Sequence, residues 1–440
     1  MRQARKKGLI VGLGKTGFAA ARFLEQRGCS VAVTDDRAAP PALAALKAKL
    51  PDVALFAGGY STEALDNADF VVVSPGVPTR DPYIVQARAR GLPVLGDIEL
   101  FAREARAPIV AITGTNGKST VTTLVGLMAA ASGRDARVGG NLGTPALDLL
   151  SDKEPDLYVL ELSSFQLELT EHLPLAAAAV LNVAPDHMDR YRSFDEYAEA
   201  KARIYYDAAV SVVNRDDPRA LAMAAIKRRR ISFGLDEPVA GQYGLIDDSL
   251  ARGTEKLLPA TALKLPGRHN IANALAALAL GEAVGLPLPA MLTALTEFGG
   301  LPHRMSRVVE IDGVTFIDDS KATNVSAAVA AIAGATSPLI VIAGGDGKNQ
   351  DFTAFADALV GRARAVVLIG RDADRIVTAL ADRVPHESAA DMSAAVRRAA
   401  ELAQPGDWVL LAPACASFDM FDNYEARGDA FAAAARRLAS

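Results

Sequence analysis

Residues 114–120 read GTNGKST, two glycines followed at once by Lys118, Ser119 and Thr120. Such a loop can cradle phosphate. Backbone N–H groups of Gly114, Thr115, Asn116 and Gly117 surround the anion, Lys118 reaches the outer phosphates, and a hydroxyl of Ser119 or Thr120 serves Mg²⁺. The strict pattern asks for glycine at 112, where Ile112 stands. The reading rests instead on the apolar run IVAIT before the loop and the helix-forming VTTLVGLMAAA after it.

A second glycine turn, GLGKTG at 12–17, matches G-x-G-x-x-G between a strand and a helix, and Asp35 and Asp36 follow at the end of the next strand. That is the full dinucleotide-binding fingerprint: Gly12 for the tight turn, Gly14 for close approach to a diphosphate, Gly17 for packing at the helix N-terminus. Taken alone it suggests NAD and an NAD-dependent oxidoreductase. The physics specifies only a diphosphate and a polar group near the aspartates. A dehydrogenase needs one such turn. Two in one chain point to ATP meeting a second phosphorylated or nucleotide-linked substrate.

A Mg²⁺–ATP site also needs hard oxygen ligands. Glu161 in YVLELSSFQ sits within an apolar strand, where a charge is costly unless partnered; it is either a ligand or an edge carboxylate facing water. Asp186, His187 and Asp189 fall in the loop APDHMDRY at a strand end, where α/β sites form. Lys201 lies on the helix-forming segment 194–205 and, read alone, is a solvated helix residue. Three further stretches are polar for their surroundings: GRHNIANA (267–274), FIDDSKATN (316–324) and IAGGDGKNQDF (342–352).

Short β-branched apolar runs must position these groups. They recur at 9–14, 30–35, 70–76, 109–114, 157–164, 179–183, 339–345, 365–370 and 408–414, with Ala- and Leu-rich helical segments between. Continuous apolar strands alternating with helices indicate parallel sheets covered on both faces. The pattern restarts near 93 and after the Gly/Pro-rich GGLPHRM (299–305), so three α/β domains are expected.

A net charge of −5 does not favour a nucleic-acid partner. The basic run Lys227–Arg230 is read as a solvated entry to a strand. Cys29 and Cys415 form no framework, which fits a reducing compartment. The N-terminal apolar run is broken by glycines and Lys15, so it makes no signal peptide, and no apolar stretch is long enough to span a membrane. The expectation is a cytoplasmic protein without membrane insertion.

GTNGKST, ELSSFQ, NVAPDHMDRY, AKARIY, GRHNIANALAALAL, GLPHR, DDSKATN, GGDGK and APACASFDMFDNYEARG together resemble the Mur ligases of peptidoglycan synthesis, in order over nearly the whole chain. GDIELF, DDSKATN, GGDGK and PACASFD in one chain resemble the D-glutamate-adding branch. The resemblance implies a Rossmann-like domain for the UDP-precursor (1–93), a P-loop ATPase-type domain (94–298) and a Rossmann-like domain for the amino acid (299–440). It implies ATP-driven amide formation through an acyl phosphate, from UDP-N-acetylmuramoyl-L-alanine and D-glutamate, by a monomer using two Mg²⁺ ions. Another acceptor, such as L-glutamate, is the alternative within that chemistry.

Residue by residue, the resemblance places Lys118 and Ser119 on the ATP phosphates, with Glu161 holding Mg²⁺. His187 and Lys201 match a second Mg²⁺ site, where the family's lysine is carbamylated. Asn270, Arg304, Asp319 and Lys321 match further ATP contacts. Lys15, Thr16, Asp35, Arg37 and Ser74 match contacts to the uridine diphosphate, and Asn141 and Ser163 contacts to the rest of the precursor. Thr323, Lys348, Ser417 and Tyr424 match the glutamate pocket, with Tyr424 where relatives often carry Phe.

Overall fold

The computed structural model describes residues 5–224, 229–265 and 267–438. Three mainly parallel sheets organise the described residues, as the alternation of apolar runs and helices requires. The first has five parallel strands in the spatial order Ala54–Ala57, Ser30–Asp35, Lys7–Val11, Phe70–Val73, Val94–Leu95. The order reverses beside Lys7–Val11, and the turn GLGKTG leaves that strand at its C-terminal end, where such sheets bind ligands. Gly17 is required there: a Cβ would stand 2.0 Å from the Gly12 carbonyl oxygen.

The second sheet has nine strands. Its phosphate-loop strand, Ile109–Thr113, lies between Leu175–Val180 and Leu157–Glu161, and all five of its residues are buried. Beyond Leu157–Glu161 comes the edge strand Ala136–Gly140. The far end is an antiparallel extension, Gln242–Ile246, Ser249–Arg252 and Glu255–Pro259. The third sheet runs Ser306–Ile311, Val314–Asp318, Trp408–Leu411, Leu339–Gly344, Ala363–Ile369, His386–Ser388, with the first strand antiparallel. Its two faces carry separate apolar cores, one under the helix Val325–Gly334 and one under Tyr424–Leu438.

By contact density the chain forms two compact units. One comprises Met1–Val183, Asp195–Ala262 and Ile271–Glu297, and holds the first two sheets. The other comprises Ala184–Phe194, Leu263–Asn270 and Phe298–Ser440, and holds the third. The loop with Asp186 and His187 thus belongs to the second unit. Within the basic run, Arg229 and Arg230 are exposed at the start of the strand Arg229–Phe233; Lys227 and Arg228 lie outside the described residues. No helix among the described residues is long and apolar enough to cross a membrane.

Candidate active site

The phosphate loop leaves the sheet at Gly114 (φ +148°) and enters the helix Lys118–Ala131 through Gly117 (φ +84°), both in backbone regions that favour glycine. Two neighbours shape it. Asn182, just past the strand Leu175–Val180, accepts from the Asn116 N–H through Oδ1 (2.8 Å) and donates Nδ2 to the Asn116 carbonyl (3.0 Å). A Cβ at position 117 would meet Asn273 Oδ1 at 2.3 Å, so this side chain of the helix Arg268–Ala283 lies against the loop and would have to shift for any larger residue there. Lys118 Nζ donates to the carbonyls of Gly114 and Thr115, each at 2.9 Å. Ser119 and Thr120 are buried in the first turn.

Lys201 is not the solvated residue its sequence setting implies. It is 2% exposed, donates to the Gly114 carbonyl at 3.0 Å and lies 4.5 Å from the ring centre of Tyr197, whose hydroxyl in turn meets Thr115 Oγ1 at 3.1 Å. The helix Phe194–Ala202 thus turns this face onto the loop. Glu161 is likewise no edge carboxylate. It is buried at the C-terminal end of Leu157–Glu161, in register with Ile112 on one side and Gly140 on the other, and its Oε1 accepts from Asn141 Nδ2 at 2.6 Å. Among the described residues no three His, Cys, Asp or Glu side chains gather as a metal cage. Mg²⁺ does not ask for one: a carboxylate, a hydroxyl, water and substrate phosphates suffice, and the oxygen donors Ser119 and Glu161 fit that chemistry.

The N-terminal turn is closed differently from a dinucleotide site. Asp35 is fully buried. Its Oδ2 accepts from Leu13 N–H (2.6 Å) and Arg37 Nη2 (2.7 Å), and its Oδ1 from Arg37 N–H (2.9 Å) and Nε (2.8 Å). Burial pushes the carboxyl up, but Arg37 and the Leu13 N–H outweigh it and bring it down to about 2. A carboxylate has roughly four acceptor positions, and all four are taken, which leaves none for a ribose hydroxyl of NAD. The Ser74 hydroxyl donates to the Gly12 carbonyl at 2.6 Å. Lys15 is exposed and Thr16 half-buried at the helix start.

In the second unit the loops at 303–305 and 318–324 are laced together. Lys321 N–H donates to the His303 carbonyl (3.1 Å), Met305 N–H to Asp319 Oδ1 (3.2 Å), and His303 Nδ1 lies 2.7 Å from Asp318 Oδ2. Burial raises the Asp319 carboxyl to about 7, against the pull of nearby Arg304. Lys321 Nζ stands 3.7 Å from the ring centre of Tyr424, a cation–π contact. Thr323 lies between Lys321 and Asn324, the N-cap of Val325–Gly334. Asn270 lies in the first turn of the helix Arg268–Ala283, and Ser417 is buried after Trp408–Leu411. Lys348, at φ +49°, pairs with Asp186, whose other oxygen accepts from Asn324 Nδ2 at 3.2 Å. His187, at φ +58°, lies 3.8 Å from the same carboxylate.

Sequence reasoning assigned no role to Asn182, Asn273 or Asp97. Asn273 stands one helical turn beyond Asn270, a spacing that could have found it. Asp97, 2% exposed at the start of the helix Asp97–Glu104, is driven up by burial from 3.8 to about 6, while Gln166 and backbone N–H groups of the first turn pull the other way. The folded protein therefore holds this proton more tightly than the unfolded chain does. Stability falls as pH rises from about 4 to about 6, and the cost is fully present above that, on the order of 3 kcal/mol. Asp97→Asn removes this titration. Its stability relative to the parent should improve by about that amount between about pH 4 and pH 7 in chemical unfolding; an unchanged difference would refute the buried charge.

Residues 6–96 match the Mur ligase MurD-like N-terminal domain, 112–281 the Mur ligase middle domain, and 303–415 the Mur ligase glutamate ligase domain. The UDP-N-acetylmuramoylalanine–D-glutamate ligase of Nitrosococcus oceani is 53% identical, covering 100% of this chain and 98% of that protein. The one from Pseudomonas aeruginosa is also 53% identical, covering 98% of each. Among solved structures, the UDP-N-acetylmuramate–alanine ligase MurC of Thermotoga maritima is similar in fold, at a TM-score of 0.63 and 22% identity over 98% of both chains. A pseudomurein peptide ligase type C from Methanothermus fervidus aligns at 0.62 and 18% identity over 92% of this chain and 96% of that one. With its sheets, its phosphate loop and full-length relatives in agreement, the chain belongs to the Mur ligase family.

Proposed function

We propose that this protein is an ATP-dependent ligase that adds D-glutamate to UDP-N-acetylmuramoyl-L-alanine, working as a monomer in the cytoplasm. The observation that carries the reading is full-length identity of 53% to a ligase named for that reaction. The phosphate loop, with Lys118 and Lys201 both bonded to Gly114, supports the chemistry.

The alanyl carboxylate attacks the γ-phosphorus of ATP, and ADP leaves. The glutamate amine, having lost a proton, then attacks the acyl-phosphate carbon, and phosphate leaves as the amide forms. Gly114, Thr115, Asn116, Gly117, Lys118 and Thr120 hold the triphosphate, with Asn270, Arg304, Asp319 and Lys321 as further ATP contacts. Lys118 balances charge on the transferring group, and positioning supplies much of the rest. Ser119 and Glu161 would hold one Mg²⁺, and His187 with a carbamylated Lys201 a second. Bound there, the ions neutralise phosphate charge. An ammonium cannot ligate a cation, whereas a carbamate offers oxygen on the same arm. Lys15, Thr16, Arg37, Ser74, Asn141 and Ser163 receive the precursor; Asp35, matched with them in sequence but with its acceptor positions filled by Leu13 and Arg37, serves the same site by holding Arg37 and the glycine turn in place. Thr323, Lys348, Ser417 and Tyr424 receive the glutamate. The domain limits 1–93, 94–298 and 299–440 belong to this reading.

The test is phosphate release by purified protein given ATP, Mg²⁺ and the precursor, with D-glutamate, L-glutamate or no amino acid. Release that depends on D-glutamate is expected. Faster release with L-glutamate would reassign the acceptor, and release indifferent to any amino acid would sink the ligase reading.

A further inference from the structure

Ser163 caps the short helix Ser164–Leu167 through a reciprocal pair. Its Oγ accepts from the Gln166 N–H at 3.2 Å, while Gln166 Oε1 accepts from the Ser163 N–H at 3.1 Å and lies 3.2 Å from the Ser163 hydroxyl. An amide side chain turned over keeps its shape but exchanges donor for acceptor, so something must decide which end faces the serine. Asp97 does so. Its Oδ2 lies 3.0 Å from Gln166 Nε2, and both side chains are buried. An ionised carboxylate only accepts, so Nε2 must face Asp97 and Oε1 must face Ser163. Oε1 has no hydrogen, so the Ser163 hydroxyl donates to it. What remains on the half-buried Ser163 Oγ is acceptor capacity.

The docking of the helix Asp97–Glu104 on the segment 163–172 is built in twice more. A Cβ at Gly96 would meet Leu169 Cβ at 2.9 Å, and Glu99 Oε2 accepts from the Glu171 and His172 N–H groups at 2.9 and 3.1 Å.

We propose that Asp97 is a positioning residue for the precursor: through Gln166 it fixes the hydrogen-bond direction at Ser163, which then meets a hydroxyl or N–H donor of the sugar–alanine part rather than a phosphate oxygen. This rests on the reading that Ser163 lies against the precursor.

Three variants and one double variant test it, in steady-state assays of the full chain with ATP, the precursor and D-glutamate. Asp97→Leu removes the acceptor, and Gln166→Glu sets two carboxyls facing each other. Each should raise the precursor KM about tenfold, as loss of a charge-assisted hydrogen bond does, with the ATP KM unchanged. When Asp97→Asn is combined with Gln166→Glu, the amide introduced at position 97 donates to the carboxylate introduced at position 166. That carboxylate still accepts from Ser163, as the glutamate of a capping box does. The double variant should return to within about threefold of the parent, a coupling that independent structural damage does not produce. A double variant no better than Gln166→Glu alone overturns the relay, even if Asp97→Leu fails to fold. Ser163→Ala separates the two levels. If it leaves the precursor KM unchanged, the placement of Ser163 fails and the inference with it. If it raises KM while Asp97→Leu folds and does not, only the relay fails.

Discussion

Lys118→Ala lowers kcat at least about a hundredfold while the protein unfolds at nearly the parent temperature. Removing one preorganised electrostatic group from a site of this kind costs about 3–4 kcal/mol, and about 1.4 kcal/mol is a factor of ten. Lys118 qualifies by position. It is the first residue of Lys118–Ala131, and its ammonium is folded back over the loop onto the Gly114 and Thr115 carbonyls. Those two bonds hold the charge at the mouth of the glycine turn, where the outer phosphates would lie. Losing them relaxes a loop already braced by Asn182, so the structural loss is small beside the electrostatic one. Lys118→Arg does not rescue, because a planar fork cannot replace a compact point charge in that fold-back. Measurement of kcat with saturating ATP decides; near-parent turnover by Lys118→Ala removes this lysine from the mechanism.

How far the site could be read in advance depended on distance along the chain. The phosphate loop and the GLGKTG turn are local devices, a strand, a glycine turn and a helix start, so a few adjacent residues announce them. Ser30–Asp35 begins and ends where its β-branched run does. Leu175–Val180 does not, because four of its six residues are alanine, which carries no strand signal; its pairing on both sides makes it a strand. The hairpin joining Gln242–Ile246 to Ser249–Arg252 was also silent, since it turns on Asp247 and Asp248 at φ +44° and +54°, without a glycine. The burial of Lys201 was hidden for a different reason: its partner Gly114 is 87 residues away, and a lysine on a helix looks the same whether its face meets water or a loop. Asp97, 69 residues from Gln166, and Asn182, 66 from Asn116, are of this second kind.

Glu161→Ala should fall by at least about a hundredfold in kcat as well, and here charge must be separated from shape. The carboxylate sits at the end of a fully buried strand, beside the phosphate-loop strand, and Asn141 Nδ2 donates to one of its oxygens at 2.6 Å. Alanine removes both the acceptor for Asn141 and the negative charge. Glu161→Gln keeps the volume and still offers Asn141 an oxygen, but it cannot neutralise a cation. If Glu161 serves only to seat Asn141, the glutamine variant works nearly as well as the parent. If its charge holds Mg²⁺, Glu161→Gln fails almost as badly as alanine, and its requirement for Mg²⁺ rises by about tenfold or more, since a hard divalent ion strongly favours a charged oxygen over a neutral amide. Titrating activity against Mg²⁺ for both variants tells these apart. The charge-based outcome is expected because an ion pair or metal is what makes a buried carboxylate tolerable at a strand end flanked by Leu160 and Leu162, both of them buried. A glutamine variant with parental turnover and an unshifted Mg²⁺ curve would leave Glu161 a structural partner of Asn141 and move the metal site elsewhere.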